Sequence, residues 1–198
     1  MSEQILLQPI QAANSDKAKE ALEKARIAHE KYLIRQQNCD LEEAIENYID
    51  AVKYDPTMPE SYYRLATLMW EQGQISLDTA IEQCKTAISL APQNVNAHLY
   101  TGFFMKMAQD FKSAETEFKS AIKMGKLKSG RPRLILSQSI LQKINAKNGT
   151  AADYLNFLYY FLSGSLMLAW DRPSMKMFYK NMSDDFSVFS YNTIGGFL

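Results

Sequence analysis

The chain has 198 residues, of which 46% are hydrophobic and 22% are charged, and these near-average fractions exclude a wholly disordered chain and a polytopic membrane protein. Its 22 basic side chains balance 22 acidic ones, so the overall charge does not favour binding to nucleic acid. Two cysteines outside any disulfide or metal-ligand pattern, and a start without the basic and apolar regions of a secretory signal, predict a cytoplasmic location.

Pairs of helices are predicted between residues 17 and 126, after an N-terminal extension over residues 1–16. The second helix of each pair carries a small, a large and a small residue at spacings of four and three. This pattern occurs three times, at Ala44, Tyr48 and Ala51, then at Ala80, Cys84 and Ala87, then at Ala114, Phe118 and Ala121. Small residues at such spacings let a second helix approach closely. The first helices are predicted around Ala25 to Tyr32, Tyr62 to Met69 and His98 to Met105.

This repeated helical hairpin resembles the tetratricopeptide repeat, whose unit has about 34 residues. The three copies cover residues 22–57, 59–94 and 95–126. The resemblance implies an all-α fold in which antiparallel helix-turn-helix repeats stack into a right-handed superhelical array. The first copy departs from the pattern because Ala25 replaces an aromatic residue and residues 36–40 are expected to form a longer turn. The second copy has an extended turn at residues 73–78.

Residues 127–198 are predicted to form irregular helical repeats or a C-terminal helical cap. Pro132 is expected to open a helix that Asn148 and Gly149 end. Thr150 and Asp153 are suited to the start of the next helix, which would run to about Trp170. A further helix is predicted over residues 173–182. Residues 191–198 resemble the first helix of a repeat whose second helix is missing, and the sequence is equally compatible with an array that continues in a longer chain and with one that ends there.

Catalytic residues are not evident. His29 and His98 both fall on repeat positions, where packing is the expected role, and no HExxH, GxSxG, GxxxxGK[ST] or GxGxxG motif occurs. The adjacent acidic pairs point their side chains in different directions on a helix. The sequence therefore predicts a protein that is not an enzyme and that has no cofactor or metal site.

The resemblance implies a partner-binding concave face built from the first helix of each repeat. The corresponding positions are Arg26, Glu30, Tyr63, Thr67, Leu99 and Phe103, with Trp70 and Lys106 one turn further along. Trp70 and Phe103 are more often core residues than anchors for a partner. Some grooves of the family clamp the C-terminal carboxylate of a chaperone. That subtype is not expected here because Glu30 and Thr67 stand where asparagine is required.

The segment from Phe118 to Ala152 contains no Asp or Glu. Its predicted basic surface comprises Lys119, Lys123, Lys126, Lys128, Arg131 and Arg133. This surface would suit an anionic partner, although a solvated face of a connecting helix explains it equally well. Directly after it, residues 154–170 form an uncharged stretch of 17 residues, which is at the lower limit for a membrane-spanning helix. Burial between neighbouring repeats is the favoured interpretation.

These features together favour a non-catalytic scaffold or adaptor that binds a peptide or helix of another protein on its concave face. One alternative is a membrane-associated assembly or biogenesis factor, attached through the basic segment 119–147 and the apolar helix 154–170. Another is a docking module of a longer enzyme. Base-reading RNA-binding repeats need regularly repeated polar pairs, and none is evident. The partner and the oligomeric state are not predicted.

Overall fold

A computed structural model describes residues 14–35, 37–125 and 130–168 of the chain, and every regular element in these ranges is helical. The α-helices are α1 (Ser15–Arg35), α2 (Asn38–Tyr54), α3 (Pro59–Glu71), α4 (Leu77–Leu90), α5 (Val95–Met107), α6 (Phe111–Gly125), α7 (Gly130–Lys143) and α8 (Ala151–Leu168). A π-helical turn, Ile144–Asn148, extends α7. The predicted all-α fold of helical hairpins is confirmed.

The chain divides into two compact units, the first ending at Thr101 and the second beginning at Gly102, so the boundary lies within α5. In unit 1, α1 packs on α2, α2 on α3, and α3 on α4. In unit 2, α6 packs on α7 and α7 on α8. Each helix therefore packs against the one that follows it in these series, which is the arrangement of helical hairpins.

The core of unit 1 is centred on the contact between α1 and α2. Small side chains dominate that contact, and Ala25, Ala28, Ala44 and Ala51 are fully buried around Tyr48. Because alanine has no side chain beyond Cβ, the two helix backbones approach closely there. The alanine positions of the sequence pattern thus have the packing role that was predicted.

The turn between α1 and α2 is shorter than predicted. Helix α2 already begins at Asn38, after Gln37 in an extended conformation, so the expected turn over residues 36–40 is wrong. Helix α1 begins at Ser15, well before Ala25, because the Asn14 side chain accepts a hydrogen bond from the Lys17 amide at 3.2 Å. Such N-terminal capping satisfies an amide that has no partner within the helix.

The turns that follow the second helices of unit 1 are held by a repeated contact. The Tyr62 hydroxyl donates to the Pro56 carbonyl at 3.0 Å, and His98 Nε2 lies 3.0 Å from the Pro92 carbonyl. Tyr62 and His98 are 36 residues apart in the sequence, and so are Pro56 and Pro92. A side chain at the start of each first helix thereby fixes the preceding proline turn in two successive repeats.

Unit 2 is built around Phe118, which is fully buried in α6. A Cβ at Gly102 would lie 2.7 Å from the Phe118 ring, so only glycine permits this approach. At the other end of the unit, Gly164 of α8 has the same role, since a Cβ there would lie 2.9 Å from Leu134 Cγ of α7. Two glycines thus permit close contacts between helices in this unit.

The ends of α7 and α8 follow the sequence signals with one difference. Helix α7 begins at Gly130, two residues before the predicted start at Pro132, because a proline in the first turn removes an amide that the helix does not use. Gly149 follows the π-helical turn in an extended conformation, as predicted. The start of α8 is also confirmed, since Asp153 Oδ2 accepts from the Thr150 amide at 2.7 Å. The helix predicted over residues 173–182, residues 191–198 and Trp170 lie outside the described residues.

Candidate functional site

The first helices of unit 1 bring two arginines and a glutamate together at the surface. The Arg26 guanidinium of α1 bonds both carboxylate oxygens of Glu60 in α3, with Nε 3.1 Å from Oε1. Its Nη1 also lies 3.2 Å from Glu23 Oε2. The hydrogen bonds to Glu60 raise the pKa of Arg26 above its usual range. Arg26 remains partly exposed, so this bidentate ion pair joins two consecutive hairpins at a surface open to solvent.

Arg64, one helical turn after Glu60, lies beside two tyrosine rings. Its Nη1 donates to the Tyr100 hydroxyl at 3.2 Å, and its guanidinium carbon lies 5.7 Å from the Tyr100 ring centroid. The rings of Tyr63 and Tyr100 stack with centroids 4.9 Å apart. Planar guanidinium groups pack well on aromatic rings. We call Arg26, Glu60, Arg64 and Tyr100 the arginine cluster.

Burial under the arginine cluster shifts the protonation of neighbouring groups. Burial, followed by the positive charge of Arg64, lowers the pKa of His29 to about 4. Burial also raises the pKa of Tyr63 to about 12. His29 is therefore neutral at pH 7, with its ring packed edge-on against Tyr48 at a centroid distance of 6.3 Å. The packing role predicted for His29 agrees with this environment.

The predicted concave-face residues of unit 1 differ in how much of their side chains reaches the surface. Arg26 and Glu30 are exposed, while Thr67 and Trp70 are half-buried, and the Thr67 hydroxyl donates to its own helix at the Tyr63 carbonyl, 2.8 Å away. Tyr63 and Leu99 are only 2% and 5% exposed. Their burial leaves almost no side-chain surface for a partner, which corrects the expectation that they line a groove.

Phe103 and Lys106 belong to unit 2. Phe103 is half-buried and Lys106 is buried, with Lys106 Nζ 5.7 Å from the Phe103 ring centroid. The predicted contact role of Lys106 is corrected in the same way, because the residue is only 8% exposed. Neither residue forms part of the arginine cluster.

Three members of the arginine cluster were missed by sequence analysis. The predicted positions were Tyr63 and Leu99, and Arg64 and Tyr100 come one residue after them. An error of one residue in the predicted position turns the expected face of the helix by about 100°. The sequence did contain a signal for these two residues. Arg64 and Tyr100 are 36 residues apart, which is also the spacing between the second helices of the first two repeats. Glu60 could be found only as the partner of Arg26, 34 residues away.

The predicted basic surface is partly engaged in contacts within unit 2. Lys123 and Arg131 are exposed, whereas Lys119 Nζ pairs with Glu115 at 2.7 Å. Arg133 is half-buried between α7 and α8, with Nη1 3.3 Å from Ser163 Oγ and its guanidinium carbon 5.8 Å from the Tyr159 ring centroid. Lys126 and Lys128 lie outside the described residues.

Helix α8 is not buried on all sides, so the expectation for residues 154–170 is wrong. Asp153, Phe157 and Gly164 face the interior, but Leu155 and Leu166 are 72% and 73% exposed. The unit supplies α7 on one side of the helix and leaves the opposite apolar side open to solvent. Within the described ranges, no helix combines the length and the apolar character that crossing a bilayer requires.

The described residues contain no group of three or more His, Cys, Asp or Glu side chains arranged to hold a metal ion. Cys39 is exposed and Cys84 is buried, and neither forms a disulfide in these ranges. Burial raises the pKa of Cys84 to about 12, so its thiol stays protonated at neutral pH and is a poor nucleophile.

Comparisons with known proteins agree with this architecture. Residues 36–73 match the family model described as TPR repeat, and no curated protein matches the sequence. The structure of the first TPR of Spaghetti (RPAP3) bound to the HSP90 peptide SRMEEVD is similar with a TM-score of 0.53 and 19% identity, over 64% of this chain and 93% of that one. The crystal structure of MamA is similar with a TM-score of 0.55 and 17% identity, over 87% of this chain and 86% of that one.

Identities this low show the fold alone, whereas the family model locates a repeat in the sequence itself. The matched residues 36–73 span α2 and α3, where Tyr48, Ala51 and Ala66 are fully buried. The resemblance inferred from the repeated helical hairpins is therefore confirmed: the chain contains a tetratricopeptide repeat and has the fold of tetratricopeptide-repeat structures.

Proposed function

We propose that the chain is a non-catalytic scaffold or adaptor that binds a peptide or helix of a partner protein on the exposed side of α1 and α3. The observation that carries the proposal is the arginine cluster, which gathers ionic and aromatic groups from the first helices of successive hairpins. Arginine and tyrosine are enriched among the residues that dominate binding energy at interfaces. The packing of Arg64 on Tyr100 limits its rotamers before a partner arrives, which lowers the entropic cost of binding.

The structure of Spaghetti (RPAP3) supports this proposal, since that protein has the same fold and holds a peptide. We expect that the peptide bound by this chain is not the C-terminal tail of a chaperone. Glu30 presents an exposed carboxylate where a clamp needs an amide, and it would repel the terminal carboxylate of a tail. The Thr67 hydroxyl is bonded within α3. We therefore expect recognition of an internal segment of the partner.

The compartment proposed for this adaptor is the cytoplasm. Cys39 is exposed and unpaired among the described residues, and an exposed thiol persists in a reducing environment. Docking of the same repeats onto the catalytic part of a longer enzyme remains a prediction. In that arrangement the arginine cluster would have the same binding role.

The test begins with selection of peptides from a random display library on the immobilised full chain. The dissociation constant of an enriched peptide is then measured for wild type, Arg26→Ala and Arg64→Ala. Arg35→Ala is the matched control, because Arg35 is an exposed arginine on the same helix as Arg26. We expect the two cluster variants to raise the dissociation constant by about tenfold or more, while the control leaves it unchanged.

Circular dichroism of each variant separates lost binding from lost folding. The Arg26–Glu60 pair is partly exposed, so removing Arg26 should cost no more than about 1 kcal/mol of stability. Failure to enrich any peptide would count against the proposal. Equal affinities of wild type and both folded cluster variants would equally exclude the arginine cluster as the binding site.

A further inference from the structure

Arg64 of the arginine cluster is a partly buried cation without a closely bound counterion. Its side chain is 29% exposed, and its Nε lies 3.8 Å from Glu60 Oε1, which is beyond hydrogen-bonding distance. Both carboxylate oxygens of Glu60 are bonded to Arg26 instead. Among the residues that the structure describes, Arg64 donates its hydrogen bond to the Tyr100 hydroxyl. Buried charges are normally both paired and hydrogen-bonded, so the Arg64 guanidinium lacks the acceptor that its burial calls for.

The aromatic groups packed around Arg64 are neutral and do not balance its charge. The Tyr48 hydroxyl and Arg64 Nε are both buried and have no hydrogen-bond partner in the described ranges. Burial raises the pKa of Tyr48 above its usual range, against the opposing effect of the nearby Arg64 charge. Burial also raises the pKa of Tyr63 to about 12. Both phenols therefore stay uncharged at pH 7, and the site has donors in excess of acceptors.

Aromatic packing holds the Arg64 guanidinium in place before a partner binds. Its carbon lies 6.0 Å from the Tyr63 ring centroid and 5.7 Å from that of Tyr100. A planar guanidinium fixed in this way matches the geometry of a carboxylate and can bind both of its oxygens. Because Glu60 is only 3.8 Å away, a group with one negative charge is favoured over a phosphate, which carries nearly two.

We propose that Arg64 binds the side-chain carboxylate of a single Asp or Glu in the partner segment. The inference rests on the proposed function, binding of a peptide or helix at the arginine cluster, and specifies a residue type that this partner contributes. A run of acids is disfavoured, since residues 1–101 carry 15 acidic and 9 basic side chains and like charges repel each other. The partner segment is therefore expected to hold one acid among neutral or basic residues.

The test uses peptides enriched from a random display library on the immobilised full chain. Each enriched peptide is synthesised as selected and with each Asp or Glu replaced in turn by Asn or Gln. Fluorescence anisotropy measures their dissociation constants for wild type, Arg64→Gln and Arg35→Gln. Arg35→Gln is the matched control, because it removes the same charge from an exposed arginine of α1. The comparison of paired peptides on wild type needs no variant, so it decides the inference even if Arg64→Gln does not fold.

We expect one amide replacement to raise the dissociation constant for wild type and Arg35→Gln by about tenfold or more. The same replacement should change it less than about twofold for Arg64→Gln, since the acid has then already lost its partner. If every acid can be replaced without loss of affinity for wild type, the inference is overturned. An equal loss for wild type and folded Arg64→Gln overturns it as well.

Failure of the inference is distinguishable from failure of the proposed function. Peptides that bind at the arginine cluster, and therefore lose affinity for Arg26→Ala or Arg64→Ala, but tolerate replacement of every acid would overturn the inference alone. The proposed function fails, and the inference with it, if the library yields no enriched peptide or if neither folded alanine variant weakens binding.

Discussion

At the scale of single residues, the environment of His29 makes the stability of the protein depend on pH. Burial lowers its pKa to about 4 in the folded chain, whereas an unfolded chain has a histidine pKa of about 6.5. Between these two values the unfolded chain binds more protons than the folded one. Stability contributed by neutral His29 is therefore present above about pH 6.5 and is lost as the pH falls toward 4.

The expected loss for His29 between pH 7 and pH 5 is about 2 kcal/mol of unfolding free energy. Urea unfolding of wild type and His29→Phe at both pH values measures it, since phenylalanine keeps a ring against Tyr48 but cannot be protonated. Protonation of carboxylates is common to both proteins and cancels in the comparison. If wild type and His29→Phe lose the same stability on acidification, His29 is not the group responsible.

At the scale of elements, the turns between helices show how the repeats tolerate different residues at one backbone position. Gly73, after α3, has a φ of 68°, and Gln109, after α5, has a φ of 62°. The two positions are 36 residues apart, so the same left-handed residue ends the first helix in two repeats. Glycine adopts this conformation without strain, while a residue with a Cβ loses roughly 1 to 2 kcal/mol.

We predict that Gln109→Gly stabilises the protein. The relief of left-handed strain exceeds the extra chain entropy of glycine by about 0.5 to 1 kcal/mol, which urea unfolding resolves. Ala108→Gly is the control, since it adds the same entropy to the unfolded chain at a position where φ is not positive. It should destabilise. A loss of stability in Gln109→Gly similar to that of Ala108→Gly would contradict the strain argument.

The second helices were predictable from sequence because their packing depends on residue size at fixed spacing. Ala44, Tyr48 and Ala51 satisfy one geometric requirement, and that requirement recurs in α4 and α6. The exposed side of α8 was not predictable in this way. Its residues are mostly apolar and only Asp153 is charged, so the apolar pattern alone does not show which side α7 covers, and only the neighbouring helix decides it.

The arginine cluster illustrates a second limit, which is angular. A repeat pattern locates a helix and its small residues to within one position, but one position rotates a side chain by about 100°. The difference separates the buried Tyr63 from the partly exposed Arg64. Surface residues also carry no size requirement that would correct the register. The proposed binding site therefore depends on the part of the sequence that packing constrains least.

At the scale of the whole molecule, a formal net charge of zero conceals an uneven distribution. Residues 1–101 carry 15 acidic and 9 basic side chains, while residues 102–198 carry 7 acidic and 13 basic ones. The first part of the chain therefore has a net charge of −6 and the second +6. This division follows the boundary between the two units. An anionic surface should attract the protein through the local positive field of the second part, because charges beyond about 10 Å are screened at moderate salt.

We predict that the full chain is retained by a cation exchanger at pH 7 and low salt despite its zero net charge. Lys123→Glu combined with Arg131→Glu should abolish retention, since both side chains are exposed in unit 2. Lys53→Glu combined with Lys85→Glu makes the same change in net charge at exposed positions of unit 1. This double variant should keep most of the retention on the cation exchanger. Equal losses in the two double variants would show that net charge, and not the basic surface, controls adsorption. A selective loss would instead establish that surface as accessible to acidic partners.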